Sequence, residues 1–324
     1  MRGRRAAGGC LLAVILLLAG AAPIVTPHSP VQQFAGFENA PPMLPHLWGA
    51  DGVRAPFVKP LRLASRLERR FVETGSARPV RWFAGGALLS IDESEGPWLP
   101  LGSDPLGRDV LARLLYGARI SLAVAAVASL GALLLGVLIG APAGFAGGRV
   151  EAFLMALADF VLVLPAIYVA LALRSALPLV LSVGQVFWTL TLVFAILGWP
   201  IAARGVRAII ATEKRKEYAE AAYAAGAPPL RILLRHLLPS TRTFLIVSAT
   251  LLMPAFLLTE GTLTLVGLGF PVPTATWGAM LRDAWQGSAF TDAPWLLAPA
   301  GALILTMLSL HLLGSQDAGD STFS

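Results

Sequence analysis

The chain reads as an all-α integral membrane protein of about six transmembrane helices with one small, β-rich polar insert. Three observations lead to that class. Of 324 residues, 56% are hydrophobic and only 14% charged, against about 25% charged in a soluble domain, and the mean hydropathy is +0.70. About six runs approach the roughly 20 apolar residues that a helix needs to cross a bilayer. One long stretch, residues 26–118, interrupts them with proline, charge and aromatic residues.

The first run, 10–25, follows the basic start Arg2, Arg4 and Arg5. The basic start, the short apolar core and the small residues Ala19, Gly20, Ala21 and Ala22 fit either a retained span or a cleaved signal segment. Both place residue 26 onward outside the cytoplasm. The insert holds β-like pieces at 57–63, 70–73 and 80–83, with Asp51-Gly52 and Gly85-Gly86 as turn signals. It is either a docking surface or a solvated linker.

The core, 119–314, holds the remaining runs at 120–145, 152–173, 183–203, 244–259 and 295–313, and 315–324 forms a short tail. In the first of these, Gly136, Gly140, Gly144 and Gly148 recur every fourth residue. That spacing lines one helix face with small residues and lets a neighbouring helix approach closely, which is how helices associate in lipid.

The net charge is +6, but the arginines cluster at span ends and in loops, so the excess implies membrane topology rather than a nucleic-acid partner. Arg2, Arg4 and Arg5 hold the N-terminus inside. Counting spans puts 204–242 inside too, and that segment carries Arg204, Arg207, Lys214, Arg215, Lys216, Arg231, Arg235 and Arg242. The expected location is therefore a bacterial-type inner membrane, crossed several times, with a cytoplasmic N-terminus.

Cys10 is the single cysteine, and the four histidines, His28, His46, His236 and His311, are far apart, so neither a metal nor a cofactor is expected. A phosphate-binding loop needs Gly-Lys-Ser/Thr after a glycine-rich run. None of the lysines, Lys59, Lys214 and Lys216, follows a glycine, so ATP hydrolysis by this chain is not expected. No cluster of catalytic side chains stands near either membrane face. An ion-coupled carrier would need ionisable groups at mid-membrane, for which Asp159, Arg174 and Glu260 are the candidates.

The loop at about 204–242 is more informative. Residues 217–225 are rich in Ala and Glu and favour a helix. Gly226 suits a left-handed cap, and Pro228 or Pro229 can open a second helix that ends at Pro239. Ala221, Ala222 and Ala225 form a small face able to fit a partner's groove, and Glu217 and Glu220 can pair with basic residues there.

Glu220-Ala221-Ala222, then Gly226, then Leu238-Pro239 resemble the EAA motif of binding-protein-dependent ABC importer permeases. His236 stands where the general pattern has Ile, as is common in the peptide branch. Three further stretches resemble that dipeptide/oligopeptide/nickel branch, in its second permease: Leu101-Gly102-Ser103-Asp104-Pro105-Leu106-Gly107-Arg108-Asp109 continuing to Leu122; Gly144-Phe145-Ala146-Gly147-Gly148 with Met155, Asp159 and Pro165; and Gly267-Leu268-Gly269-Phe270-Pro271 continuing to Gly278. Ala156, His311 and the short tail after Gly314 depart from the pattern.

The resemblance covers about residues 100–314 and implies a type I ABC importer permease-like core. It implies a transport subunit, not an enzyme, working with a homologous second permease, one or two ABC ATPase subunits and an extracytoplasmic solute-binding protein in the lipid bilayer. Glu217, Glu220, Ala221, Ala222, Gly226, His236 and Pro239 then couple the chain to the ATPase. Peptides are the implied cargo, with nickel chelates, opines or an antibiotic peptide as alternatives inside the family and an ion-coupled secondary transporter as the alternative outside it.

Overall fold

The computed structural model describes residues 2–49, 52–65, 70–73, 77–83, 86–94, 96–165, 168–169, 172, 181–286 and 292–314. Its helices are α1 (Arg2–Gly20), α2 (Val110–Ala146), α3 (Gly148–Val163), α4 (Val183–Glu213), α5 (Glu217–Ala224), α6 (Arg242–Leu265), α7 (Trp277–Gln286) and α8 (Ala298–Gly314). Among the described residues, five stretches are long and apolar enough to cross a membrane: Gly3–Gly20, Val110–Ala146, Val183–Glu213, Pro229–Leu265 and Pro294–Gly314.

The expected run at 152–173 accounts for the difference from six. Its described helix, α3, ends at Val163, and Leu164 is extended at φ −71°, ψ 119°. Pro165 follows, and a residue before proline is driven out of the α region. Most of 166–180, Arg174 included, lies outside the described residues.

Helix α2 starts at Val110, upstream of the expected boundary at 119. Asp109 explains the early start, because its Oδ1 accepts from the N–H groups of Leu111 at 2.8 Å and Ala112 at 3.3 Å. A carboxylate there satisfies donors that the helix itself leaves free.

The chain divides into two compact units: 1–9, 123–263 and 307–324 in one, 10–122 and 264–306 in the other. In the first unit α2 lies against α4 along its glycines. A Cβ at Gly136 would sit 2.5 Å from the Ala202 Cβ, at Gly140 2.3 Å from the Ala203 carbonyl oxygen, and at Gly144 2.5 Å from that of Arg207. Gly148 is not part of that seam, because it opens α3 with φ +57° and has nothing within 4 Å of where its Cβ would be. The four-residue period outlasts the helix it was read on, since α2 ends at Ala146. Gly8 of α1 packs as closely on α8, its Cβ position falling 2.7 Å from the Ser309 carbonyl oxygen.

The second unit contains the insert, whose strands are β1 (His46–Gly49), β2 (Gly52–Val58), β3 (Leu61–Ser65), β4 (Arg70–Glu73), β5 (Arg78–Pro79), β6 (Arg81–Trp82) and β7 (Leu89–Ser90). They pair antiparallel as β1–β2–β5, β3–β4 and β6–β7. The expected piece at 57–63 is split between β2 and β3, with Pro60 in the gap. Proline has no N–H to give to a ladder. Val58, Leu99, Trp98 and Met43 form the core beneath the strands, and the Trp98 indole donates to the Met43 carbonyl at 3.0 Å.

Two charge clusters with buried centres hold this unit. Asp104 accepts from the N–H groups of Leu106 and Arg108 with Oδ1, at 2.9 Å and 3.0 Å, and meets Arg108 Nε at 2.6 Å with Oδ2. Arg108 and Arg113 both reach Asp283 of α7, at 2.9 Å and 3.1 Å. Gly102 and Gly107, at φ +73° and +70°, make the turns that let the Ser103–Arg108 segment curl around its own carboxylate. Nearby, buried His28 bridges Asp109 at 2.9 Å and Glu93 at 2.7 Å. Burial opposes its charge, but the two carboxylates outweigh burial and push the imidazole pKa up to about 9.

Candidate functional site

The loop joining α4 to α6 is an ordered structure docked on the ends of α2 and α4. Lys214 caps α4 and donates its ammonium to the Phe145 carbonyl, 2.6 Å away at the C-terminal end of α2. A cation there meets the negative end of the helix dipole. Phe145 in turn stacks on Tyr223, with centroids 6.4 Å apart and planes 19° apart. Glu213 ties down the loop's entrance by accepting from Lys216 at 2.7 Å and from the Tyr218 hydroxyl at 2.6 Å. Burial, then that hydrogen bond, push the Tyr218 pKa up to about 12.

Helix α5 carries Glu217 and Glu220 in its first turn, where carboxylates oppose the positive end of the helix dipole. It closes on Gly226 at φ +77°. The Ala227 N–H donates to the Ala222 carbonyl at 3.1 Å and the Gly226 N–H to the Tyr223 carbonyl at 2.9 Å. Those two bonds satisfy carbonyls that the helix would otherwise leave unpaired, and they need a left-handed residue at 226. No atom lies within 4 Å of a Cβ built there, so backbone conformation, not space, selects glycine.

One face of α5 turns inward. Ala219 is buried with Ala141, Val206, Ile210, Ile232 and Leu237, and Ala222 packs against the same cluster. The small face expected at Ala221, Ala222 and Ala225 is therefore divided. Ala221 and Ala225 are exposed, and Ala222 serves the core. Helical geometry requires the division, because residues three apart share a face and Ala219 already points inward. The outer face presents Glu217, Glu220, Ala221 and Ala224. Neither glutamate forms an ion pair with another described residue.

Past the turn, Pro229 opens a short helix, Pro229–Arg231. It runs into a π-helical turn, Ile232–Leu237, and a 3₁₀ turn, Leu238–Thr241, before α6. Pro239 thus does not stop the helical path as expected. The widened turn ahead of it and the tightened turn around it absorb the missing N–H and the bulk of the ring. His236 lies half-buried in the π turn, and its Nδ1 is enclosed without a hydrogen-bond partner among the described residues. Pro239 is exposed, as are Leu230, Arg231, Leu234 and Arg235. Leu230 and Leu234 are exposed apolar side chains that the sequence did not single out. Their spacing of four just after Pro229 was the available signal.

The membrane carboxylates that the structure describes have partners within the chain. Asp159 of α3 pairs with Arg204 of α4, and Glu151 with Arg207. Glu260 is buried and has a partner within the chain.

The family described as "Binding-protein-dependent transport system inner membrane component" matches residues 132–320. The chain is 36% identical over 238 residues to the oligopeptide transport system permease protein OppC of Bacillus subtilis, covering 72% of this chain and 75% of that one. It is 37% identical over 223 residues to the dipeptide transport system permease protein DppC of the same organism, covering 68% and 67%. It is 33% identical over 270 residues to the di/tripeptide transport system permease protein DppC of Pseudomonas aeruginosa, covering 82% of each.

Proposed function

Because the chain belongs to the family of binding-protein-dependent transport system inner membrane components, we propose that it is a membrane-spanning permease subunit of a peptide importer driven by separate ATPase subunits. The observation that carries the coupling role is the outer face of α5. It is a small-residue helix surface with two exposed glutamates, held rigidly on the ends of α2 and α4 by Lys214, Phe145, Tyr223 and the core around Ala219.

A partner that grips this face moves α5, and α5 shares one packed core with the ends of α2 and α4. Displacement at the ATPase thus reaches the spanning helices through close-packed side chains. Glu217 and Glu220 give the docking its charge, Ala221 its close approach, and Leu230 and Leu234 its apolar area. Gly226 sets the angle of the second arm. The seam of Gly136, Gly140 and Gly144 keeps α2 and α4 together while they move. Energy enters from ATP bound by the partner, and this chain performs no covalent step.

In this reading the loop and the N-terminus face the cytoplasm, in keeping with the basic residues of both. The insert faces outward, toward a solute-binding protein. A homologous permease completes the path, and one or two ATPase subunits bind below. Peptides as cargo rest on the cargo named for OppC and DppC.

The test is Glu220→Lys in the full chain, assayed by mild-detergent co-purification and by peptide uptake. Loss of the ATPase subunits, with the chain still inserted, is the expected result. Normal recovery of the ATPase together with normal uptake would remove α5 from the coupling role.

A further inference from the structure

Most of the insert's large apolar side chains are at least partly buried, but Leu44, Leu47 and Trp48 at and just before β1 and Trp82 and Phe83 at the β6–β7 hairpin are exposed, and the hairpin pair lies beside the end of α1. Arg81, Trp82 and Phe83 are exposed in succession, Trp82 by 60% and Phe83 by 76%. Phe83 also holds φ +53°, a left-handed conformation that is a genuine outlier for a bulky side chain. Such strain persists only where the surroundings impose it, and it collects at sites of contact.

The hydrogen bonds place this hairpin beside the end of a membrane helix. The Leu88 N–H donates to the Ile24 carbonyl at 2.5 Å, and the Phe83 N–H donates to the Leu88 carbonyl at 3.0 Å. Trp82 pairs with Leu89. Ile24 belongs to the helical turn Ala22–Val25 that directly follows α1. It is 55% exposed and continues the exposed apolar surface of Leu16, Leu17 and Leu18 on that helix. Chain that has just left the hydrocarbon region lies at headgroup depth, where tryptophan concentrates because one part of its ring is apolar and the other polar. Arginine's planar fork suits a phosphate.

We propose that the exposed Arg81-Trp82-Phe83 run of this hairpin is a lipid-binding site, with Trp82 and Phe83 lying in the bilayer interface beside the end of α1 and Arg81 meeting phospholipid phosphate. The hairpin thereby holds the insert down on the membrane surface. Continuity with the apolar face of α1 selects lipid over a protein as the occupant.

The experiment places a nitroxide at Phe83→Cys in a Cys10→Ala background. The full chain is reconstituted into vesicles of phosphatidylethanolamine and phosphatidylglycerol. Collision rates are then measured with oxygen, which concentrates in the bilayer, and with a water-soluble nickel chelate. Oxygen collisions should outnumber chelate collisions at 83 and at Trp82→Cys, with the order reversed at Arg70→Cys, an exposed position on the same insert. Chelate collisions dominating at all three positions would overturn the proposal. So would a label at 83 shielded from both reagents, which would mean contact with protein. Trp82 has no left-handed backbone, so Trp82→Cys decides the matter if Phe83→Cys fails to accumulate.

Discussion

Asp104, Arg108, Arg113 and Asp283 in the insert-bearing unit are drawn into one largely enclosed cluster, and His28 and Asp109 into another whose outer carboxylate, Glu93, is exposed. In the loop between α4 and α6, by contrast, Glu217, Glu220, Arg231 and Arg235 stand exposed, while alanines and leucines make the interior. Both regions are charged connections between apolar helical runs. Their difference lies in what the charge accomplishes. Enclosed ions orient one another, and removing one strands its partner in a poor solvent. Exposed ions contribute little to folding and stay available to another molecule. The first arrangement suits a scaffold, and the second suits the docking role proposed for α5.

That contrast predicts a graded set of responses. Asp283→Ala should have the largest effect, because it leaves Arg108 and Arg113 buried with a single carboxylate, and Arg113 already has an Nη1 without a hydrogen-bond partner among the described residues. Breaking one side of a buried pair costs about 3–5 kcal/mol. It should show as a large drop in thermal midpoint in detergent and as new protease cuts within 26–109; an unchanged midpoint would mean that the cluster is not enclosed.

His28 comes next. Its pKa is held near 9, above the ordinary 6.5, so the stabilisation is fully present below pH 6.5 and is lost as the pH rises through about 9. The shift corresponds to roughly 3 kcal/mol. Hydrogen exchange at the amides of Leu111 and Ala112 should therefore accelerate above pH 9 beyond the intrinsic rate, and His28→Gln should abolish the extra pH dependence.

Gly140→Ala should follow, since its methyl group would press on the Ala203 carbonyl and overpacking costs about 1–3 kcal/mol. Scanning calorimetry of Gly140→Ala beside Gly301→Ala, a helical glycine with nothing within 4 Å of its Cβ position, would show whether the close contact carries the cost: Gly140→Ala should lower the midpoint and Gly301→Ala should not. Glu220→Lys should be smallest in stability, within about 0.5 kcal/mol, although it is the one expected to release the ATPase. A large stability loss at Glu220 would erase the distinction between the two regions.

The features legible in the sequence were those encoded by neighbours in the chain. Apolar runs marked the spans, the glycine spacing marked three of the close contacts of α2, and Gly226 followed by Pro228 and Pro229 marked the turn of the loop. Several features failed where distant residues intervene. The start of α2 moved to Val110 because Asp109 caps it, and Asp109 is itself held by His28 from the other end of the insert. The inward turn of Ala222 could not be read, because it depends on Ala219 finding Val206 and Ile210 of α4. Pro239 looked like a stop because a regular helix cannot hold it, whereas a π turn followed by a 3₁₀ turn can.

Composition and periodicity alone determined that this chain lives in lipid, that its loops divide by charge and that one loop carries a punctuated helix. These follow from the solvent and from the 3.6-residue repeat, both of which act on local sequence. Only the tertiary structure decided which charges are enclosed and which stay exposed. Asp104 and Glu220 carry the same group, and what separates them is that Arg108 and Arg113 enclose the first, while among the described residues none forms an ion pair with the second.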